Sequence, residues 1–278
     1  MTKPKKRERP MQTLHLARSI WKKFQLLINP YQGPTVARRG RPRVHLRRVF
    51  LGICHLVWSG CQWRALPRKY GTRSTVHRYF TEWAKSGLFL KLWKLCLAFM
   101  NKRGKIKRDV HIIDGSQVVT HSLSKTAAFI SPQYRPKRAI KFSLLVDSDG
   151  IPLATTLSSA NKHDTSLLDS TLAENPINTR IYSKTKLLGD KGYVGGRQEL
   201  TAVIHGYKPI FHPRKYHLDQ LKPSQRKLLI QQRWKVERTI SWLKSYRRIK
   251  YCYERSFDAY QAFLDLGCLL ISFQKLYL

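Results

Sequence analysis

Three acidic residues in the second half of the chain stand where they could bind metal ions. Asp114 and Asp190 each follow a short apolar run and are followed by glycine within two residues. Such runs predict buried strands whose ends present the acid. Glu237 lies in a predicted helix, 224–248, whose apolar stripe would pack on a sheet and leave Glu237 to one side. We therefore expect the three carboxyl groups to meet at one site.

Carboxylate oxygens are hard ligands that suit Mg²⁺ or Mn²⁺. Two such ions, about 3.5–4 Å apart, can hold the attacking and leaving oxygens of a phosphodiester substitution. Without cations, three neighbouring carboxylates would repel one another, and the pKa of at least one would rise. We predict that Asp114, Asp190 and Glu237 are catalytic residues and bind two Mg²⁺ or Mn²⁺ ions.

The composition indicates which substrate such a site would meet. The 278 residues include 53 Lys and Arg against 16 Asp and Glu, a formal net charge of +37. So large an excess would repel itself unless the usual partner were a polyanion, of which phosphate backbones are the commonest. The hydrophobic fraction of 42% is enough to form a core and argues against a disordered chain. The chain is expected to fold and to bind nucleic acid.

The positive charge is concentrated in the first half. Residues 1–110 contain 27 Lys and Arg and three acidic residues, a net charge of +24. No acidic residue lies between Glu8 and Glu82, so this segment has no internal partner for its arginines. A basic linker, 102–108, follows. We predict two domains: a basic helical DNA-binding domain with a flexible N-terminal tail at 1–108, and a catalytic domain at 109–278.

Apolar residues at helical spacing predict three helices in the first domain. The first ends at Ser59 and Gly60, the second starts near Ser74, and the third runs over 88–100. This order is typical of a helix-turn-helix, whose second helix enters the major groove of double-stranded DNA. The alternative is a structural bundle that does not bind DNA. The DNA-binding residues predicted on the second helix are Arg73, His77 and Arg78.

The second half alternates strands with helices, which predicts a mixed β-sheet flanked by helices and an α/β fold. Strands are expected at 139–146 and 151–157, with Asp147 and Asp149 in the turn between them. Asp164 suits a helix N-cap better than a catalytic role. A helix at 196–205 and a strand at 207–211 follow.

Basic residues share the predicted face of Glu237. At about 100° per residue, Arg233, Lys244 and Arg248 fall in the same narrow stripe of the helix. We predict that all three contact DNA phosphates. For Arg233 and Lys244, a surface ion pair with Glu237 is an equal alternative.

The sequence also bears on the compartment. Five cysteines form no regular framework, which fits a reducing environment. The N-terminal segment lacks the apolar core of a secretory signal. The most apolar windows, 49–60 and 263–273, are shorter than the about 20 residues that span a bilayer. We expect a cytoplasmic protein without a membrane partner.

The motifs around the three acids, and several segments of the first half, resemble those of a known family. Ile113-Asp-Gly-Ser116, Leu188-Gly-Asp-Lys-Gly-Tyr193 and the run 233–248 around Glu237 resemble the three motif blocks of bacterial insertion-sequence DDE transposases, more narrowly of the insertion-sequence-five type. The segments Gly40-Arg-Pro-Arg43 and 60–67, with a Tyr-Phe-x-x-Trp run ending at Trp83, are similar to the N-terminal helical domain of that group. The resemblance covers residues 40–275.

The resemblance implies a ribonuclease-H-like catalytic domain with Asp114, Asp190 and Glu237 as the metal-binding triad. It implies binding to terminal inverted repeats, metal-dependent DNA strand cleavage and strand transfer. It also implies action on bacterial, nucleoid-associated DNA. Joining two element ends needs two active sites, so we expect a homodimer on DNA. Related transposases carry a tyrosine where this chain has Ile230, so the role of that tyrosine is not expected here.

Other functions remain open. A nuclease or Holliday-junction resolvase could use the same fold and carboxylates without strand transfer. A DNA-binding regulator derived from a transposase could hold element ends without cutting them. A zinc enzyme is a weaker third possibility, because the histidines show no paired ligand spacing.

Overall fold

The computed structural model describes residues 18–28, 44–120, 129–130, 137–177, 184–212 and 221–277. The predicted flexible tail at the N-terminus lies outside these residues. The described helices of the first half are α1 Arg18–Ile28, α2 Leu46–Ser59, α3 Arg73–Lys85 and α4 Leu88–Lys102.

The three predicted helices of the first half are confirmed as α2, α3 and α4. On α2 the apolar positions Phe50, Ile53 and Val57 are buried, as their spacing predicts. The helix ends at Gly60, which takes a φ of 64° that favours glycine. Thr72, rather than Ser74, caps α3 by accepting a hydrogen bond from a backbone amide in the first turn.

Helix α1 was not predicted, although its apolar spacing is helical. Trp21, Phe24 and Ile28 are buried and pack into the core, and the ring of Trp21 lies 5.9 Å from that of Phe50 on α2. Lys22, which lies between Trp21 and Phe24, is exposed. Arg18, Lys22 and Lys23 interrupt the apolar residues of the segment, so its charge concealed the amphipathic pattern.

The second half contains a mixed sheet. Three strands pair antiparallel in the order β4, β3, β1, and β5 and β6 extend the sheet in parallel beside β1. Strand β3 is buried along nearly its whole length, as expected when both faces of a sheet are covered. The α/β fold class is confirmed. The strands are β1 Val110–Val119, β2 Phe129–Ile130, β3 Arg138–Asp147, β4 Pro152–Ser159, β5 Lys186–Gly189 and β6 Lys208–Phe211.

The turn between β3 and β4 matches its prediction. The carboxylate of Asp147 accepts hydrogen bonds from the backbone amides of Lys107, Asp149 and Ile151, at 2.8–3.0 Å. Burial raises the pKa of Asp147 to about 6, and these amides partly offset the rise. Asp147 thus fixes the hairpin and also ties the basic segment 102–108 to the sheet.

The remaining helices surround the sheet. The single helix predicted over 224–248 is divided at Arg233, whose backbone angles stay helical, and at Tyr246, which takes an extended backbone conformation at ψ 111°. That prediction was correct in position and wrong in continuity. The helices are α5 Leu168–Ala173, α6 Gly196–Ile204, α7 Pro223–Gln232, α8 Trp234–Ser245, α9 Arg247–Lys250 and α10 Phe257–Tyr277.

Helix α10 joins the two halves of the chain. It packs against α2, α3 and α4 on one side and against β4 and α8 on the other. Phe80 of α3 stacks on Phe263 of α10 with ring centroids 4.4 Å apart. The described residues share one hydrophobic core, so the segment 102–108 joins regions that are packed together. None of the helices in the described part of the chain could span a membrane.

Candidate active site

The sheet places Asp114 and Asp190 side by side. Strands β1 and β5 are parallel, and their last paired residues are Ile112 and Leu188. Each aspartate lies two residues beyond its paired residue, so the two occupy equivalent positions on neighbouring strands. Carboxyl groups from two distant segments therefore meet at the end of β5.

Asp114 does not end its strand, which corrects the sequence-based expectation. Strand β1 continues to Val119 because residues 115–119 remain paired with β3. Only its pairing with β5 stops near Asp114. Asp114 therefore lies where the β5 edge of β1 has become unpaired, while the other edge stays paired with β3.

Helix α8 is fixed across the sheet by polar contacts at both ends. Lys235 Nζ donates to the carbonyl of Ser148 at 2.5 Å, and Thr239 Oγ1 donates to that of Gly150 at 2.8 Å. Near the other end, Lys244 Nζ donates to the carbonyl of Gln117 on β1 at 3.1 Å. These contacts hold Glu237, in the first turn of α8, on the exposed side of the helix.

Electrostatics connect the three acids. The pKa of Asp114 is raised to about 6, mainly by burial and to a smaller extent by the negative charges of Asp190 and Glu237. The Gly115 amide, which donates to Asp114 Oδ1 at 2.8 Å, and the charge of Arg233 act in the opposite direction. Asp114 is therefore within electrostatic reach of both other carboxylates, as the sequence-based hypothesis requires.

Glu237 is engaged by a neighbouring cation. The guanidinium of Arg233 lies 2.8 Å from Glu237 Oε1, with both side chains partly exposed. This is the surface ion pair that was an alternative for Arg233. Within the described residues, no three His, Cys, Asp or Glu side chains converge closely enough to hold an ion. Glu237 would have to exchange Arg233 for a cation before the three acids could act as one ligand set.

The donor chemistry fits divalent cations despite this open arrangement. All three candidates are carboxylates, the ligand type that Mg²⁺ and Mn²⁺ prefer. A bound cation would offset both the burial of Asp114 and the repulsion from its neighbours.

A fourth acidic residue at this site was missed. Asp164 does not cap a helix, because His163 takes the cap position of the short turn that follows. The Asp164 side chain is 38% exposed, but its Oδ1 atom is buried and lies 3.2 Å from the buried Lys141 Nζ. A Cβ atom on Gly115 would overlap this carboxylate, so glycine is required next to Asp114. The buried Lys141, in a strand predicted only as core, was the missing signal.

Arg248 corrects another prediction. Its side chain is buried, and its guanidinium lies 2.6 Å from Glu254 Oε1 while also donating to the carbonyl of Cys61 at 3.2 Å. Such a residue is unavailable to DNA, so its assignment as a DNA contact was wrong. The break at Tyr246 turns Arg248 away from the stripe that an unbroken helix would have formed. Lys244 is half-buried against β1, and its role with DNA stays a prediction.

The predicted DNA-binding residues of α3 lie on its exposed side. Arg73 projects from the first turn, and the ring of His77 packs edge-on against Trp63 at 4.7 Å. Arg78 forms an exposed ion pair with Glu82 at 2.9 Å. Their exposure is compatible with DNA contact, which stays a prediction for all three.

A mixed sheet that sets two aspartates side by side, with a glutamate on an adjoining helix and a net charge of +37 on the chain, is compatible with an enzyme that acts on the phosphodiester bonds of nucleic acids. Comparison with known families identifies the class more closely. The model "Transposase DDE domain" matches residues 105–273, and the model "Putative transposase of IS4/5 family" matches residues 16–93. The chain therefore belongs to the DDE transposases of insertion sequences, enzymes that act on DNA and use divalent metal ions.

A curated relative agrees with this assignment. The "Putative transposase for insertion sequence element IS402" of Burkholderia cepacia is 32% identical over 151 residues, which cover 52% of this chain and 68% of the relative. The family match together with the mixed sheet confirms the expected ribonuclease-H-like fold.

Solved structures give weaker likenesses. A chain of the pre-cleavage Mos1 transpososome is 12% identical over 94% of each chain, with a TM-score of 0.29. A chain of the Mos1 mariner paired end complex with Mn is 12% identical over 90% of this chain and 87% of that one, with a TM-score of 0.27.

Proposed function

We propose that this transposase binds the terminal inverted repeats of its own element and catalyses both strand cleavage and strand transfer, with Asp114, Asp190 and Glu237 holding two Mg²⁺ ions. The observation that carries the proposal is the equivalent register of Asp114 and Asp190 on parallel strands, with Glu237 within electrostatic reach. Mn²⁺ should substitute, since it prefers the same oxygen ligands.

Two in-line substitutions at phosphorus make up the reaction. In the first, a water oxygen bonds to phosphorus at the element end and a 3′-hydroxyl leaves. In the second, that hydroxyl attacks a phosphodiester of target DNA, and a target 3′-oxygen leaves. When bound, the two ions would activate the attacking oxygen and stabilise the leaving one in both steps.

The protein's own residues would bind and orient. The three carboxylates would hold the ions, and no protein nucleophile is needed. Arg233, released from Glu237 when Glu237 turns to an ion, would be free to donate to a DNA phosphate beside the site. Arg73 and His77 of α3 would contact DNA away from the cut. Because two ends must be joined, we propose a homodimer on DNA, acting on nucleoid DNA in the bacterial cytoplasm.

A coupled assay tests the proposal and separates it from its alternatives. The full chain is incubated with a labelled duplex carrying the element end, a circular target plasmid and Mg²⁺. We expect cut ends and also ends joined to the plasmid. Asp114→Asn, Asp190→Asn and Glu237→Gln should each lower both products by more than about a hundredfold, because even outer-shell changes cost about 10–100-fold.

The control is Asp149→Asn, which alters an exposed carboxylate in the β3–β4 turn and should leave both products unchanged. Cutting without joining would indicate a nuclease or resolvase. Binding without cutting would indicate a regulator. Either result would overturn the proposal.

A further inference from the structure

A buried phenol lies among the acidic residues of the site. Tyr193 follows Asp190 by three residues and is only 1% exposed. Its ring packs 5.9 Å from that of Phe211 on β6. Its hydroxyl lies beside that of Ser143, which lowers its pKa, but neither hydroxyl makes a hydrogen bond of full geometry. Tyr193 is therefore a buried donor without a well-placed acceptor.

Carboxylates surround this hydroxyl. Burial raises the pKa of Tyr193 well above its usual value, and negative charges on Asp164, Asp114 and Asp190 raise it further, with Asp164 the strongest of the three. The turn that begins at Asp164 also packs against the turn that ends at Tyr193, so the two residues are neighbours in the fold.

Asp164 has an oxygen that could accept the missing bond. Its Oδ1 is buried and makes no hydrogen bond, although the Lys141 ammonium is near enough for an ion pair at 3.2 Å. Lys141 itself donates to the carbonyl of Lys162 at 2.9 Å. The same Asp164 oxygen occupies the space where Gly115 would carry a side chain.

A buried hydroxyl without a well-placed acceptor carries a cost, as does a buried carboxylate oxygen that accepts no hydrogen bond, and a bond between them would remove both costs. Tyr193 belongs to the segment that presents Asp190, and Asp164 packs against the residue next to Asp114. A bond from Tyr193 to Asp164 would therefore set the separation of the two catalytic aspartates.

We propose that Tyr193 and Asp164 are positioning residues of the catalytic site, and that the Tyr193 hydroxyl donates to Asp164 when Asp114 and Asp190 bind divalent cations. This inference rests on the proposed function, because it takes those two aspartates as metal ligands. Outer-shell hydrogen bonds that orient ligand carboxylates commonly change metal affinity by about 10–100-fold.

Calorimetric titration of the full chain with MnCl₂, without DNA, tests the proposal directly. Tyr193→Phe removes only the hydroxyl and should weaken Mn²⁺ binding by about tenfold or more. Its thermal midpoint without metal should not fall, because the hydroxyl has no well-placed acceptor in that state. Asp164→Ala should weaken Mn²⁺ binding similarly, and the double variant should bind no more weakly than Asp164→Ala alone.

Tyr260→Phe is the matched control. Its hydroxyl is also buried but donates to the carbonyl of Ile249 at 2.8 Å, far along the chain from the acids. This variant should lose stability and keep the Mn²⁺ affinity of the natural chain. If Tyr193→Phe loses Mn²⁺ affinity but not stability, and Tyr260→Phe loses stability but not Mn²⁺ affinity, then the Tyr193 hydroxyl positions the metal ligands and does not merely stabilise the fold.

Three results would overturn the inference. The first is unchanged Mn²⁺ affinity in Tyr193→Phe, and the second is additive losses in the double variant. The third is a lowered midpoint of Tyr193→Phe without metal, which would show that the hydroxyl is already bonded there. If Asp164→Ala does not fold, Tyr193→Phe alone decides. A natural chain that binds no Mn²⁺ would instead contradict the proposed function itself.

Discussion

The three candidate acids experience different surroundings. Asp114 lies deepest, and its raised pKa shows that an isolated negative charge is unfavourable there. Glu237 is half exposed and neutralised by Arg233. A cation bound between them would stabilise the negative charge of Asp114. Glu237 would have to release Arg233 before binding the same cation. In the proposed reaction, metal binding and DNA binding would be connected through Arg233, which would pass from the Glu237 carboxylate to a DNA phosphate.

The buried side chain of Arg248 should contribute to the stability of the fold rather than to DNA binding. It forms a buried ion pair with Glu254, and removing one partner of such a pair costs about 3–5 kcal/mol. Arg248→Ala should lower the free energy of unfolding by that amount, measured by urea denaturation. Below its transition, the folded variant should bind DNA as the natural chain does.

The neighbouring Arg247→Ala serves as the comparison, because Arg247 is exposed and forms no ion pair with an acid among those found in the described residues. It should barely change stability. Weakened DNA binding by Arg248→Ala at unchanged stability would restore the original assignment of Arg248 as a DNA contact.

Part of the site could be predicted from residues and part could not. Asp114 and Asp190 stood out because an acid that ends an apolar run is unusual. Asp164 did not, because an acid after histidine at the start of a helix matches a common cap. Its place beside Asp114 depends on Lys141 of β3, which forms an ion pair with it in the folded chain. Spacing in one segment cannot report a partner that another strand supplies.

Among elements, the end of α2 depends on its packing against α9. Gly60 has a φ of 64°, and a Cβ there would meet the Cβ of Arg247 at 2.6 Å. Gly87 has nearly the same φ of 66° but nothing within 4 Å of its added Cβ. Gly87→Ala should cost about 1–2 kcal/mol from backbone strain alone. Gly60→Ala should cost more.

Urea denaturation of both variants measures the difference, which isolates the contact between α2 and α9. Equal losses in the two variants would show that α9 moves away freely and that the helices are not tightly packed there.

Helix α10 carries a pH-sensitive group where it contacts β4. Burial raises the pKa of Asp265 to about 7; Glu174 also raises it, whereas Gln261 and Lys94 lower it. An unfolded aspartate titrates near 3.9, so the folded state binds the proton more tightly. The stabilisation is complete below pH 4 and is lost as the pH rises to about 7.

Asp265→Asn removes this titration. The stability of the variant relative to the natural chain should therefore increase between pH 4 and pH 7, by up to about 1.4 kcal/mol per pH unit. Urea denaturation at several pH values checks this. A stability difference that stays constant over this range would mean that Asp265 is charged in the fold.

Local patterns predicted elements better than their boundaries or partners. The spacing of apolar residues located α2, α3, α4 and the β3–β4 hairpin, because each buries one continuous face. The continuation of β1 beyond Asp114 could not be predicted, since it depends on pairing with β3. The packing of α10 on both halves could not be predicted either, because an apolar helix does not specify what covers it.

For the whole molecule, charge dominates the interaction with DNA. A net charge of +37 implies many phosphate contacts and release of many counterions. The logarithm of the association constant should fall linearly with that of salt concentration, with a slope of about −0.9 per neutralised phosphate. Fluorescence anisotropy on a duplex of the element end measures the slope.

Arg73→Ala should make that slope shallower by about one, as removal of a single phosphate contact does. Asp258→Asn, which removes an exposed negative charge at the start of α10, is a control that leaves every basic residue in place. If the association constant of the natural chain does not change with salt concentration, the basic residues of the first half do not bind DNA phosphates.

The most direct test of the proposed metal site is to locate bound Mn²⁺ by anomalous X-ray scattering from crystals of the full chain with element-end DNA. We predict two manganese peaks, with the carboxylates of Asp114, Asp190 and Glu237 as their protein ligands and Arg233 moved from Glu237 to a phosphate. Manganese bound elsewhere, or with Glu237 still paired to Arg233 and distant from every peak, would contradict it.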